Sequence, residues 1–160
     1  NRSIGSQAEK LTPIDFWNLE KMSYQTLAKA LNLQQEVKTP FDLMALARQG
    51  LYRSALDSLG QLLELSTKDL VQYLHISERT LQRYDQHKKL SSELSDHLIQ
   101  IAKVYARAVE VFEDHDRAVQ WLKYPSQALG VVTPLSCLDN YSGIELVLDE
   151  LGRLEYGVYA

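Results

Sequence analysis

The sequence predicts an all-α fold: a helix-turn-helix bundle followed by a small second helical domain. Three observations carry that expectation. Between residues 39 and 156 apolar side chains recur at three- and four-residue spacings, the pattern of amphipathic helices. Helix punctuation marks the same stretch, with Thr39-Pro40, Ser91 or Ser92 and Thr133-Pro134 as starts and Gly50 and Gly157 as stops. No alternating run of period two is convincing, and GVVT at 130–133 reads as a short extended piece at most.

Residues 1–38 form a lead-in. NRSIGSQAEK is polar and patternless, and a weak helical pattern from Leu11 to Val37 has Tyr24, Leu27, Leu31 and Leu33 as its apolar positions. Thr39 as N-cap and Pro40 at the first helical position then open a helix. It is expected to bury Phe41, Leu43, Met44 and Leu46 and to stop near Gly50 in a left-handed C-cap. A second helix spans Leu51 to Leu65, with Leu51, Ala55, Leu56, Leu59, Leu62 and Leu63 facing inward. A short helix runs from Ser66 or Thr67 to Leu74, His75-Ile76-Ser77 break it, and another starts at Glu78. Ser91 or Ser92 caps a long amphipathic helix whose stripe is Leu94, Leu98, Ile101, Ala102, Tyr105, Val109 and Phe112. That stripe is read as intramolecular core rather than as a dimer surface.

The acidic EDHD at 113–116 is the joint to the last region. There Trp121 and Leu122 end a helix before Pro125, Thr133-Pro134 starts a short one, and Ser142-Gly143 starts the last, which runs to about Tyr156. Trp121, Leu122, Leu129 and Leu135 are read as core, and Gly143 as a site of close helix packing. The expected organisation is a lead-in at 1–38, a helix-turn-helix domain at 39–112 and a C-terminal domain at 113–160.

Composition narrows the function. The 160 residues are 45% hydrophobic and 24% charged, enough apolar material for a core. No apolar run approaches the roughly 18 residues that span a bilayer, and no signal-peptide pattern opens the chain. Cys137 is the single cysteine, which excludes an internal disulfide and a cysteine metal cluster and suits a reducing cytoplasm. Net charge is −4, unevenly spread: residues 113–160 hold eight acidic groups against Arg117, Lys123 and Arg153. An acidic C-terminal region suits a basic protein partner, and only the middle of the chain suits DNA.

That middle stretch, TKDLVQYLHISERTLQRY at 67–84, has the build of a helix-turn-helix. Leu70, Leu74, Ile76, Leu81 and Tyr84 are spaced to bury one shared face across a tight turn. Ser77 caps the second helix, whose exposed face then presents Glu78, Arg79, Thr80, Gln82 and Arg83. Arginine grips guanine O6/N7 and glutamine adenine N6/N7 in the major groove, so Arg79, Thr80, Gln82 and Arg83 are the base-reading candidates. Lys88 and Lys89 follow as phosphate contacts. His75 holds the turn position that often carries glycine, and histidine tolerates a positive φ there. The weak local charge calls for a homodimer, or a complex, that presents two copies to DNA.

Enzyme chemistry finds little support. His75, His87, His97 and His115 are scattered without metal-ligand spacing, and no phosphate loop or nucleophile–base pair stands out, so no catalytic residue, metal or cofactor is expected. Asp139, Asp149 and Glu150 read as a solvated acidic face, and Cys137 as a small buried hydrophobe. The last residues, Tyr156, Gly157, Val158, Tyr159 and Ala160, are apolar and aromatic where termini are usually polar. Such an end is expected to wait for a partner.

In their order and spacing, five segments resemble the antitoxins of the Xre/MbcA/ParS family, the partners of RES-domain toxins. They are ISERTLQRY (76–84), LSSELSDHLIQIAKVYARAVEVFED (90–114), AVQWLKYPSQALG (118–130), TPLSCLD (133–139) and SGIELVLDELGRLEYGVYA (142–160). The resemblance covers about residues 40–160 and departs from the family at His75 and at His115-Asp116. It implies an Xre-like DNA-binding domain and a C-terminal toxin-binding domain, with a toxin that consumes NAD and an operon that the complex represses. Under that implication the toxin-binding residues are Arg153, Glu155, Tyr156, Gly157, Val158, Tyr159 and Ala160. Gly157 turns the chain out of the helix, and Val158 to Ala160 enter the toxin's cleft, with the terminal carboxylate at an anion site. A second reading keeps the helix-turn-helix as a free-standing transcriptional regulator whose C-terminal part only dimerises.

Overall fold

Side-chain caps set most of the helix boundaries. The computed structural model describes residues 24–157. Residues 24–30 are helical (α1). The chain continues through α2 (Pro40–Gln49), α3 (Arg53–Leu62), α4 (Thr67–Tyr73), α5 (Glu78–Gln82), α6 (Ser92–Phe112), α7 (His115–Lys123) and α8 (Tyr141–Tyr156). Two 3-10 turns, Gln127–Leu129 and Pro134–Cys137, lie between α7 and α8. Among the described residues there is no strand, only the isolated bridges Tyr52–Lys89 and Ser126–Val132. The second is all that the 130–133 segment makes of extended structure, because Gly130 and Val131 both take positive φ.

At α2 the Thr39 hydroxyl accepts from the Asp42 amide, and the Asp42 carboxylate accepts from the amides of Thr39 and Lys38. The Lys38 and Thr39 N–H groups hold the Asp42 carboxyl below its ordinary value. Ser66, Ser77, Ser91, Asp114 and Thr133 accept from the third residue onward at their own helix starts. Gly157 ends α8 in the left-handed conformation (φ 66°, ψ 25°), whereas Gly50 ends α2 at φ 87° and ψ 141°, positive in φ but extended in ψ rather than the left-handed cap expected there. At the 113–116 joint, Glu113 turns left-handed and Asp114 caps α7.

Several expectations change. Phe41 and Met44 are exposed, 72% and 44%, while Leu43 and Leu46 are buried. Phe41 stands two residues from Leu43, about 200° round the helix, and so points away from the face that Leu43 buries. The helix after Gly50 begins at Arg53 rather than Leu51. The Leu51 amide donates to the Ser95 hydroxyl (2.8 Å), and its carbonyl accepts from the Leu90 amide (2.7 Å), which holds the backbone extended. The last helix begins at Tyr141, because Asn140, not Ser142, is the cap: its side-chain oxygen accepts from the Gly143 amide at 2.9 Å. Glu150 is buried, 9% exposed, and not part of a solvated acidic face.

The core is organised on α6. Leu94, Ser95, Leu98, Ile99, Ile101, Ala102, Val104, Tyr105, Ala106 and Ala108 are buried, a set that spans about 220° of the helix and leaves Asp96, Gln100, Lys103 and Arg107 on the remaining strip. α2 and α3 cover it on one side, and α7 and α8 on the other. Leu122 and Leu135 are buried with them, whereas Trp121 and Leu129 are half-buried. Trp121 packs its ring on Phe112 with centroids 5.7 Å apart. Cys137 is half-buried, its thiol 3.7 Å from the Thr133 carbonyl.

Gly143 is buried in the first turn of α8, where an added methyl would collide with the Cys137 carbonyl. Gly152, in the same helix, faces open space. Gly143→Ala therefore destabilises the fold by about 3 kcal/mol, whereas Gly152→Ala stabilises it by about 0.5–1 kcal/mol. Urea denaturation of the two variants should give midpoints that move in opposite directions.

Candidate functional site

The helix-turn-helix is built on Leu70, Leu74 and Leu81, all buried, with Ile76 and Tyr84 half-buried against them. The turn between α4 and α5 closes at His75, which takes the left-handed conformation at φ 56°. The Ser77 hydroxyl accepts from the Thr80 amide at 3.0 Å and pairs with the Thr80 hydroxyl at 2.9 Å. Thr80 is thus half-buried and occupied with the cap, while Glu78, Arg79, Gln82 and Arg83 are exposed. Lys88 lies over the Tyr84 ring and Lys89 over the Tyr52 ring, each 5.6 Å from the centroid, and both lysines remain exposed.

What holds α5 in place is a residue that the sequence pattern does not single out. Arg53, at the start of α3, donates from one guanidinium nitrogen to the carbonyls of Tyr84 (2.9 Å) and Leu81 (3.4 Å). It satisfies the open carbonyl end of a helix of only five residues. Asp57, one turn along α3, lies 3.8 Å from the same side chain and steadies it.

In the C-terminal region, α8 turns one face outward. Tyr141, Leu146 and Tyr156 are exposed apolar side chains on that helix, interspersed with exposed Glu145 and Asp149. Arg153 is paired with the buried Glu150 at 2.9 Å. Glu155 pairs with Arg107 of α6, which also reaches Glu110 at 3.2 Å. Burial lifts the Glu110 carboxyl above its ordinary value, and Arg107 pulls it part of the way back. Arg153, Glu155, Tyr156 and Gly157 are all exposed, but Arg153 and Glu155 are engaged within the chain. Val158, Tyr159 and Ala160 lie outside the described residues.

Three further side chains tie the two regions together. The His75 imidazole Nε2 lies 2.7 Å from the Asp139 carbonyl, and the His97 Nε2 lies 2.7 Å from the Leu138 carbonyl. Lys123 of α7 donates to the Glu64 carbonyl at 2.8 Å, beyond the end of α3. His115 meets the Tyr105 hydroxyl at 2.7 Å through Nδ1. Three of the four histidines are thus engaged in structural hydrogen bonds. Among the described residues no group of three or more His, Cys, Asp and Glu side chains is placed to hold a metal ion. No described helix is long and apolar enough to cross a membrane.

A helix-turn-helix with an open Arg/Gln face, joined through one shared helix to a second helical domain, defines a two-domain helix-turn-helix protein. Comparison with known proteins places the chain more narrowly. Residues 42–103 match the antitoxin Xre-like helix-turn-helix domain, and residues 107–157 match the antitoxin Xre/MbcA/ParS C-terminal toxin-binding domain. An Antitoxin Xre of Photorhabdus laumondii is 32% identical over 118 residues, 72% of this chain and 80% of that protein. An Antitoxin Xre of Yersinia enterocolitica is 28% identical over 71% of this chain and 78% of its own length. A Prs ADP-ribosylating antitoxin of a Sphingobium species is 24% identical over 76% of this chain and 83% of its own length. The chain belongs to the Xre/MbcA/ParS antitoxin family.

Replacing Arg53 by Met leaves the Leu81 and Tyr84 carbonyls without this donor. Arg53→Met should lower stability by about 1–2 kcal/mol, read as a shift of the urea midpoint. Arg79→Met, at an exposed position of the same helix, should leave the midpoint within about 0.5 kcal/mol of the parent.

Proposed function

We propose that the chain neutralises a RES-type, NAD-consuming toxin through its C-terminal domain and represses its own operon through the helix-turn-helix. The observation that carries the toxin half of this reading is the outward face of α8. Tyr141, Leu146 and Tyr156 are large apolar side chains left in water on one helix, with Glu145 and Asp149 among them. Such a face suits a partner groove that is apolar at its floor and basic at its rim. The acidic balance of residues 113–160 adds attraction at longer range. The name of the Sphingobium relative refers to ADP-ribosylation, a chemistry that spends NAD, and this supports an NAD-consuming partner.

Inhibition is then a matter of access. α8 docks, Gly157 in its left-handed conformation turns the chain out of the helix, and Val158, Tyr159 and Ala160 enter the toxin's cleft. The intramolecular pairs of Arg153 and Glu155 hold the end of α8 rigid while the tail works. DNA binding uses the helix-turn-helix, where Arg79, Gln82 and Arg83 meet base edges, Lys88 and Lys89 meet phosphates, and Thr80 serves the helix cap. Two copies in one complex supply the charge that one copy lacks.

Deletion of residues 157–160 should release the NAD-consuming activity of the co-produced toxin, weakening inhibition about 30-fold or more, with an unchanged thermal midpoint. A truncated chain that inhibits as well as the parent would remove the plug from the mechanism. On the DNA side, Arg79→Ala and Arg83→Ala should weaken binding to the upstream region by about 1–3 kcal/mol each and relax its specificity. Lys88→Ala should instead lower the salt dependence by about one unit of slope, as read from mobility shifts at several salt concentrations.

A further inference from the structure

The start of α8 is held from the helix-turn-helix side by two imidazoles. Leu138 and Asp139 present successive carbonyls directly before Asn140, the cap of α8. A carbonyl only accepts, so each imidazole Nε2 carries the hydrogen and donates. His97 comes from the second turn of α6, and His75 from the turn that aims α5.

The identity of residue 75 is telling. Its backbone sits at φ 56°, a conformation that glycine adopts at the lowest cost. Glycine would serve the turn but could not reach Asp139, so the imidazole does work that the backbone alone does not require. There is little slack on either side of the contact. Ile76 alone separates His75 from Ser77, the cap of α5. Beyond Asp139, Asn140 caps α8, and Gly143 is pressed against the Cys137 carbonyl. One hydrogen bond therefore links the N-cap region of the proposed DNA-reading helix to that of the proposed toxin-binding helix.

We propose that His75, supported by His97, is a positioning residue that couples the two regions, so that a toxin docked on α8 changes the hold of α5 on DNA. The inference rests on the toxin and DNA assignments made under Proposed function. Coupling of this kind is reciprocal. A single hydrogen bond of ordinary net strength limits it to about threefold to tenfold in affinity.

Amide hydrogen exchange on the full chain tests the clip itself, with His75→Gly and His75→Gln compared with the parent. Glycine keeps the turn and removes the donor, while glutamine keeps a side-chain N–H able to reach the same carbonyl. In His75→Gly, exchange should rise about threefold to tenfold both at residues 77–84 and at residues 141–147, and His75→Gln should restore the parent rates. Unchanged rates at 141–147 in the glycine variant would overturn the proposal.

The functional arm titrates a duplex from the region upstream of this chain's gene, with and without the co-purified toxin. The parent and His75→Gln should show a toxin-dependent change in affinity that His75→Gly lacks, and an equal response in all three overturns the coupling. A parent chain that binds no duplex strikes the DNA assignment instead, and the exchange comparison still decides the clip.

Discussion

α6 carries buried side chains over well more than half of its circumference and can hide them only by being covered from more than one side. Ile99, Ile101, Ala102 and Val104 are each at most 1% exposed and lie on different faces of one helix. α2 and α3 supply one cover, and α7 and α8 supply the other. A helix with so wide an apolar side needs cover to be stable in water, and both covers pack against it. The molecule is therefore not two modules on a linker, although each half matches a family domain of its own. The junction between the matched segments, at residues 103–107, falls inside α6.

This sharing sets where function can sit. With the apolar side of α6 committed to the core, the exposed candidate surfaces lie on the helices packed round it. In the helix-turn-helix, a five-residue helix is too short to hold itself, so Ser77 caps its start and Arg53 reaches the carbonyls of Leu81 and, just past the helix, Tyr84. In the C-terminal region, α8 packs Ile144, Val147 and Leu151 inward and leaves Tyr141, Leu146 and Tyr156 outside. The buried Glu150 is matched by Arg153, which satisfies its charge. Polar groups inside the fold are few, and each described one has a partner: Ser95 takes the Leu51 amide, and among the described residues no buried side-chain nitrogen or oxygen is left unsatisfied.

What was legible in the sequence was local. Thr39-Pro40, Ser66, Ser77, Ser91, Thr133, Gly50 and Gly157 act through groups within four residues of themselves, so their spacing alone announces the helix ends. The helix-turn-helix was legible for the same reason, since its shared face is written in one short stretch. The misplaced elements were those in which a distant group wins. Leu51 looks helical by period, but Ser95 and Leu90 take its backbone. Glu150 looks like a surface acid until α8 is packed. Phe41 and Met44 satisfy an apolar count but not the direction of the inward face. His75, His97, Lys123 and Arg53 join residues 28 to 64 positions apart, and no pattern along the chain encodes such pairs. The site candidates on α5 and α8 were visible by type and position; how they are held was not.

The central claim is that one shared helix makes the helix-turn-helix and C-terminal halves a single cooperative body. Differential scanning calorimetry of the full chain tests it most directly. The account predicts one transition whose calorimetric and van't Hoff enthalpies agree. Two resolved transitions, or a van't Hoff enthalpy well below the calorimetric one, would show the halves melting independently and would contradict it.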